Sequence, residues 1–177
     1  MDRGEILAAL QDLSDELQRR EVDARIYLVG GAVMVLAFNA RFSTDDIDAS
    51  VYPPEEVLAA ASDIADRRGL DRSWLNDSAK IFVPLNKEPD WRPVFKVGTV
   101  EIVAADERTM LAMKLRASRG RRDEEDIEFL LGRCGINSES AAFELYDEFF
   151  PKDPVPPRSR QMVRRALARL SQLPGEN

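Results

Sequence analysis

Two short segments hold the residue types with which this chain could do chemistry. The first is Leu28-Val29-Gly30-Gly31-Ala32, an apolar stretch that runs into two glycines, and the second is Thr44-Asp45-Asp46-Ile47-Asp48. Glycines at a strand end let backbone amides approach a phosphate with no Cβ in the way. A helix starting there points its positive end at the same spot. Asp46 and Asp48, two apart on a strand, leave by one face while Ile47 enters the core. Two such carboxylates make half of an oxygen cage for Mg²⁺ (or Mn²⁺), which keeps waters and borrows further ligands from substrate phosphates. Two metals so held can activate an attacking hydroxyl and stabilise a leaving pyrophosphate. Each segment alone also has a plain reading, as a tight turn or a solvated acidic surface. In this order and this close together they point to phosphate chemistry.

Composition removes the main alternatives. The 177 residues include no histidine and one cysteine, Cys134. Ser-His and Cys-His nucleophile pairs, histidine-ligated zinc, an imidazole base and intrachain disulfides are therefore excluded. Catalysis has to rest on carboxylates, lysine, arginine, hydroxyls or an oxygen-held metal. With 44% apolar residues the chain can build a core, and its net charge of −7 makes it a poor general nucleic-acid binder. Two basic clusters run against that balance: Lys114, Arg116, Arg119, Arg121 and Arg122, and then Arg158, Arg160, Arg164, Arg165 and Arg169. Each reads either as a grip on phosphates or as a solvated helix face. The longest apolar run, Ile26 to Phe38, has 13 residues where a membrane span needs about 20. No signal-peptide pattern opens the chain, so the expectation is a soluble cytoplasmic protein with its thiol reduced and no membrane partner.

The elements that must position these residues follow from periodicity. Ile6, Leu7, Leu10, Leu13 and Leu17 predict a first helix. Arg25–Val29 predicts a strand, Ala32–Phe38 a buried helix, Asp46–Val51 a second strand, and Pro54 to about Arg68 a helix stopped by Gly69. Lys80–Val83, Pro93–Val97 and Thr99–Val103 are expected as strands, with a turn at Gly98. Helices are expected over Thr109–Ser118, Glu124–Cys134, Ser138–Phe149 and Arg160–Leu173. The fold class is then α/β (α+β): a core with a small mixed sheet over 1–105 and a helical C-terminal part over 106–177, packed as one unit.

The glycine turn, the helix and the Asp-x-Asp strand, with 14 residues between Gly31 and Asp46, resemble the nucleotidyltransferase superfamily and its polymerase-β-like fold. Val103-Ala-Ala-Asp-Glu-Arg-Thr-Met-Leu-Ala-Met-Lys-Leu115, followed by Arg121-Arg-Asp-Glu-Glu-Asp-Ile127, is similar to its AbiEii/MenT-type branch, which includes toxins of bacterial toxin–antitoxin systems. The resemblance covers about residues 26–134. It implies Mg²⁺-dependent transfer of a nucleoside monophosphate from a nucleoside triphosphate to an acceptor such as RNA (tRNA), with an antitoxin protein as partner. On that resemblance Asp46 and Asp48 bind metal, Gly30 and Gly31 hold the triphosphate, and Lys114 neutralises its charge. Asp126 orients Lys114 or the acceptor, with Asp123 as competitor, and Glu101 is the candidate third carboxylate. Protein or small-molecule acceptors stay open. So does a module that keeps the fold, binds a nucleotide or a protein and has lost the reaction, since Ala32 stands where several relatives carry a small hydroxyl residue.

Other residues keep two readings. Arg41 and Ser43, in the loop before the carboxylates, are placed to bind a triphosphate or simply to be solvated. Lys114 sits in an apolar helix stretch, from which its ammonium can also snorkel to solvent. Trp74 and Trp91 read as core or rim residues.

Overall fold

The computed structural model describes residues 1–172. The chain divides into two units: Met1–Ile81 with Trp91–Ala105, and Phe82–Asp90 with the chain from Asp106 onward.

In the first unit the apolar periodicity from Ile6 to Leu17 winds as α1 (Arg3–Arg19), opened by Asp2 and Glu5 in a reciprocal capping box. β1 (Ala24–Leu28) follows and feeds α2 (Gly30–Leu36), which therefore starts two residues earlier than expected. β2 (Ile47–Tyr52) and α3 (Pro54–Arg68) come next, and Gly69 ends α3 in the left-handed region at φ +66°. β3 is two residues, Leu75–Asn76, and a hairpin of β4 (Trp91–Val97) and β5 (Val100–Ala105) turns at Gly98, φ +56°.

The five strands make one mixed sheet in the order β3-β2-β1-β5-β4. β1 runs antiparallel to β2 and parallel to β5; β3 adds to β2 in parallel, and β4 to β5 antiparallel, with an irregularity between Pro93 and Phe95. Ile26, Leu28, Ala49, Val51, Val100, Ile102 and Ala104 are all buried and lie on one face by register. They are matched by the buried Ile6, Leu10, Leu13 and Leu17 of α1 and the buried Val57, Ala60 and Ile64 of α3. α1 is fastened to α3 by Glu16, which accepts from Arg20 at 2.8 Å and Arg67 at 2.7 Å. The Arg20 hydrogen bond acts first in holding the Glu16 carboxyl below the usual glutamate pKa, against the opposing effect of its burial.

One expected strand is overturned. Lys80–Val83 does not extend; Ser78–Phe82 is a 3₁₀ turn. Asn76 Oδ1 accepts from the Ser78 amide at 3.0 Å and Asp77 O from the Lys80 amide at 3.0 Å, so local side-chain and backbone acceptors curl the segment. The sheet takes Leu75–Asn76 instead, too short to carry a period.

The second unit is helical: α4 (Glu107–Ala117), α5 (Arg121–Arg133), α6 (Glu139–Phe149) and α7 (Pro157–Leu170). Asp106 caps α4, accepting from the Arg108 and Thr109 amides and, at 2.6 Å, from the Thr109 hydroxyl. The expected end of the last helix at Leu173 lies outside the described residues. No described helix is long and apolar enough to cross a membrane.

Candidate functional site

β1 delivers the chain to Gly30 beside the start of β2, where the Val29 amide donates to the Asp48 carbonyl at 3.0 Å. Gly30 has φ +66°, a conformation that favours glycine. A Cβ built on it would lie 2.5 Å from Asp48 Oδ2. The Asp48 carboxylate thus occupies the space that the missing Cβ leaves, and the glycine turn and the acidic strand meet in van der Waals contact. Gly31 is equally constrained: a Cβ there would collide with Thr44 Oγ1 and come within 3.5 Å of Arg41 Nη1. Arg41 therefore sits against the turn. Ser43 is exposed and forms an isolated backbone bridge with Asp2.

Asp46 lies one residue ahead of β2. It and Asp48 are half-buried while Ile47 between them is fully buried, as alternation requires. Asp46 Oδ2 accepts from the Asn76 amide at 2.9 Å, because β3 pairs Asn76 beside Asp48. Among the described residues no three acidic or thiol side chains gather as a metal cage. Two carboxylates, both hard oxygen donors, fit Mg²⁺, which takes the rest of its shell from water and substrate phosphate.

Glu101 is not placed to add a third carboxylate at this turn. β5 pairs Glu101 with Arg25 and Ala104 with Leu28, so Glu101 lies three residues, roughly 10 Å, from the end of β1 that enters Gly30. Its carboxylate meets Arg25 Nε at 2.8 Å. On the carboxylate face the turn end of β5 offers Ala105 instead.

In the second unit Lys114 does not snorkel. It is 6% exposed, and its Nζ lies 2.8 Å from both Asp123 Oδ1 and Asp126 Oδ2. α4 and α5 bring both expected aspartates to the same ammonium, so neither displaces the other. Burial of Asp123 works to raise its pKa. The Lys114 charge and hydrogen bond, with the Arg119 amide at 2.7 Å, outweigh that and hold the carboxyl below the usual aspartate value.

The basic clusters are largely neutralised within this unit. Arg116 pairs with Asp153 at 2.8 Å and Arg121 with Glu125 at 2.9 Å. On α7, Arg164 meets Glu139, Arg165 meets Glu124, and Arg169 meets Glu124 and Glu128. An acid-free run in sequence is an ion-paired helix face in three dimensions.

Sequence reading missed Asn76 and Thr44, which hold no motif position, and Phe42, whose ring is 94% exposed between Arg41 and Ser43. Trp74 is a core residue, its indole donating to the Ala61 carbonyl at 2.9 Å, and Trp91 packs edge-on to Tyr27 at 4.8 Å. The chain matches no known family model, no curated protein and no solved structure.

Proposed function

We propose that the chain is a metal-dependent nucleotidyltransferase, joining a nucleoside monophosphate from a nucleoside triphosphate to an acceptor hydroxyl. The observation that carries it is the contact of the Asp48 carboxylate with Gly30, which joins a surface free of Cβ atoms to a paired-carboxylate strand. This arrangement in a small mixed sheet supports a polymerase-β-like core.

In the reaction the acceptor oxygen bonds to the α-phosphorus as the bond to the β-phosphate oxygen breaks. Pyrophosphate leaves and the hydroxyl proton passes to a carboxylate or to water. Mg²⁺, when bound, supplies Lewis-acid stabilisation of the phosphate charge. Asp46 and Asp48 would hold that cation. Gly30 and Gly31 let the triphosphate approach the backbone, and the Arg41 guanidinium beside Gly31 adds positive charge. Within the second unit, the family resemblance assigns Asp126 to orienting Lys114 or the acceptor. The 2.8 Å contact between Asp126 and Lys114 supports the first of these.

RNA, perceived through its phosphates and hydroxyls, is the acceptor class that the resemblance favours, with an antitoxin as protein partner. The neutralised clusters argue that few of the basic side chains are available to a backbone without first giving up an acid. A second reading, a binding module without turnover, is favoured by one observation: among the described residues no third carboxylate joins Asp46 and Asp48 in a metal cage, and β5 brings alanines to the end of β1 that enters the turn.

Incubation with Mg²⁺, labelled nucleoside triphosphates and RNA, protein or small-molecule fractions tests both. Labelled product that disappears in Asp46→Ala and in Asp48→Ala supports the enzyme. Nucleotide binding that ignores Mg²⁺ and both substitutions, with no product, supports the module.

A further inference from the structure

The 71–78 segment is built around a side chain that has no part in the core. Asp71 Oδ1 accepts from the Ser73 amide at 2.8 Å, and the buried Trp74 pins the chain to α3 through the Ala61 carbonyl. The Trp74 carbonyl receives the Ile47 amide at 2.7 Å, which starts the parallel pairing of β3 with β2. Asn76 follows. Its Oδ1 accepts from the Ser78 amide at 3.0 Å, which fixes the amide orientation and turns Nδ2 the other way. Nδ2 then donates to Asp46 Oδ2 at 2.9 Å and more weakly to the Ser73 carbonyl at 3.3 Å.

We propose that Asn76 is a positioning residue: it fixes the rotamer of the Asp46 carboxylate and leaves Oδ1 to a divalent cation shared with Asp48, an inference that rests on the metal-dependent reading above. The turn itself does not need this contact, because Trp74, the Asp71 bonds and the Ser78 amide already close it. Asp46, one residue outside β2, lacks the ladder that orients Asp48, and the amide supplies what the strand does not. Partners of this kind orient a ligand so that it enters the coordination sphere without first giving up rotamer freedom.

The test is Mn²⁺ titration followed by electron paramagnetic resonance, with melting temperature measured with and without Mn²⁺, on wild type, Asn76→Ala, Asn76→Asp, Asp46→Ala and the Asp46→Ala/Asn76→Ala double variant. Asn76→Ala is expected to weaken Mn²⁺ binding about 10- to 100-fold. In the Asp46→Ala background the same change adds no further loss, because the side chain it positions is gone. Asn76→Asp keeps the acceptor for Ser78 but sets a carboxylate against Asp46. Its melting point without metal falls below wild type, and Mn²⁺ raises it by more than it raises wild type. Mn²⁺ affinity of Asn76→Ala within twofold of wild type, where Asp46→Ala binds measurably but at least tenfold more weakly, overturns the role of Asn76 and leaves the two-carboxylate site standing. Wild type that binds Mn²⁺ no better than Asp46→Ala overturns the site and the assignment together.

Discussion

Replacing Gly30 and Gly69 by alanine, one at a time, separates backbone strain from the function of the glycine turn. Both residues have φ +66°. A Cβ on Gly69 meets nothing within 4 Å, whereas one on Gly30 lies 2.5 Å from Asp48 Oδ2. Holding an alanine in the left-handed region costs about 1–2 kcal/mol at either position. For a chain of this length that lowers the melting temperature by about 2–8 °C. The clash at Gly30 adds to this: Asp48 Cβ, 3.1 Å from the added carbon, can yield only by a shift of the strand, while the carboxylate beyond it swings away. What it loses is position. Gly30→Ala is therefore expected to melt somewhat below Gly69→Ala and to bind Mn²⁺ about tenfold or more weakly, as displaced ligands do. Gly69→Ala keeps wild-type affinity. Melting curves and Mn²⁺ titration on the two variants decide it. If Gly30→Ala binds Mn²⁺ as wild type does, the contact between the turn and Asp48 has no part in holding metal.

Lys114→Met leaves two buried carboxylates facing each other and is expected to cost about 3–5 kcal/mol, read by urea unfolding; adding Asp123→Asn recovers much of it. Because the Asp123 carboxyl is held below its unfolded value of 3.8, its contribution is present above that pH and is lost as the pH falls through the folded value. Acid unfolding of Asp123→Asn is thus shallower below pH 4 than that of wild type. Burial pushes the Cys134 thiol up to about 11, so at pH 8 its thiolate fraction is about 100-fold below that of an ordinary cysteine, and Ellman's reagent reacts correspondingly slowly. Glu124→Gln strips Arg165 and Arg169 of a shared partner and is expected to raise the salt needed to elute the protein from heparin, with stability down by about 1 kcal/mol.

The turn and the acidic strand were legible because their signals are local: two adjacent glycines, and two aspartates flanking a buried isoleucine. Asn76 was not, since its contact with Asp46 spans 30 residues and its strand has two. The Lys80–Val83 stretch looked like a strand by composition, and a side-chain acceptor at Asn76 overrode that preference. Lys114 stood out in the sequence only through a motif resemblance. Its apolar neighbours mark a buried helix face but not which acids would share that burial. The arginines of α7 show the same limit: their partners Glu124, Glu128 and Glu139 belong to other helices, and no window along the chain contains both halves.

The sheet presents two very unequal borders to any strand arriving from outside. At β3 two residues offer scarcely one repeat of hydrogen bonds. At β4 the seven residues are long enough to recruit a strand, but Pro93 lacks an amide proton, the ladder shifts register between Pro93 and Phe95, and the exposed Arg92 and Lys96 carry charge. A foreign strand would have to span a missing donor, follow a break in pitch and accommodate two cations. Templated growth along this sheet accordingly meets shortness at one border and mismatched chemistry at the other.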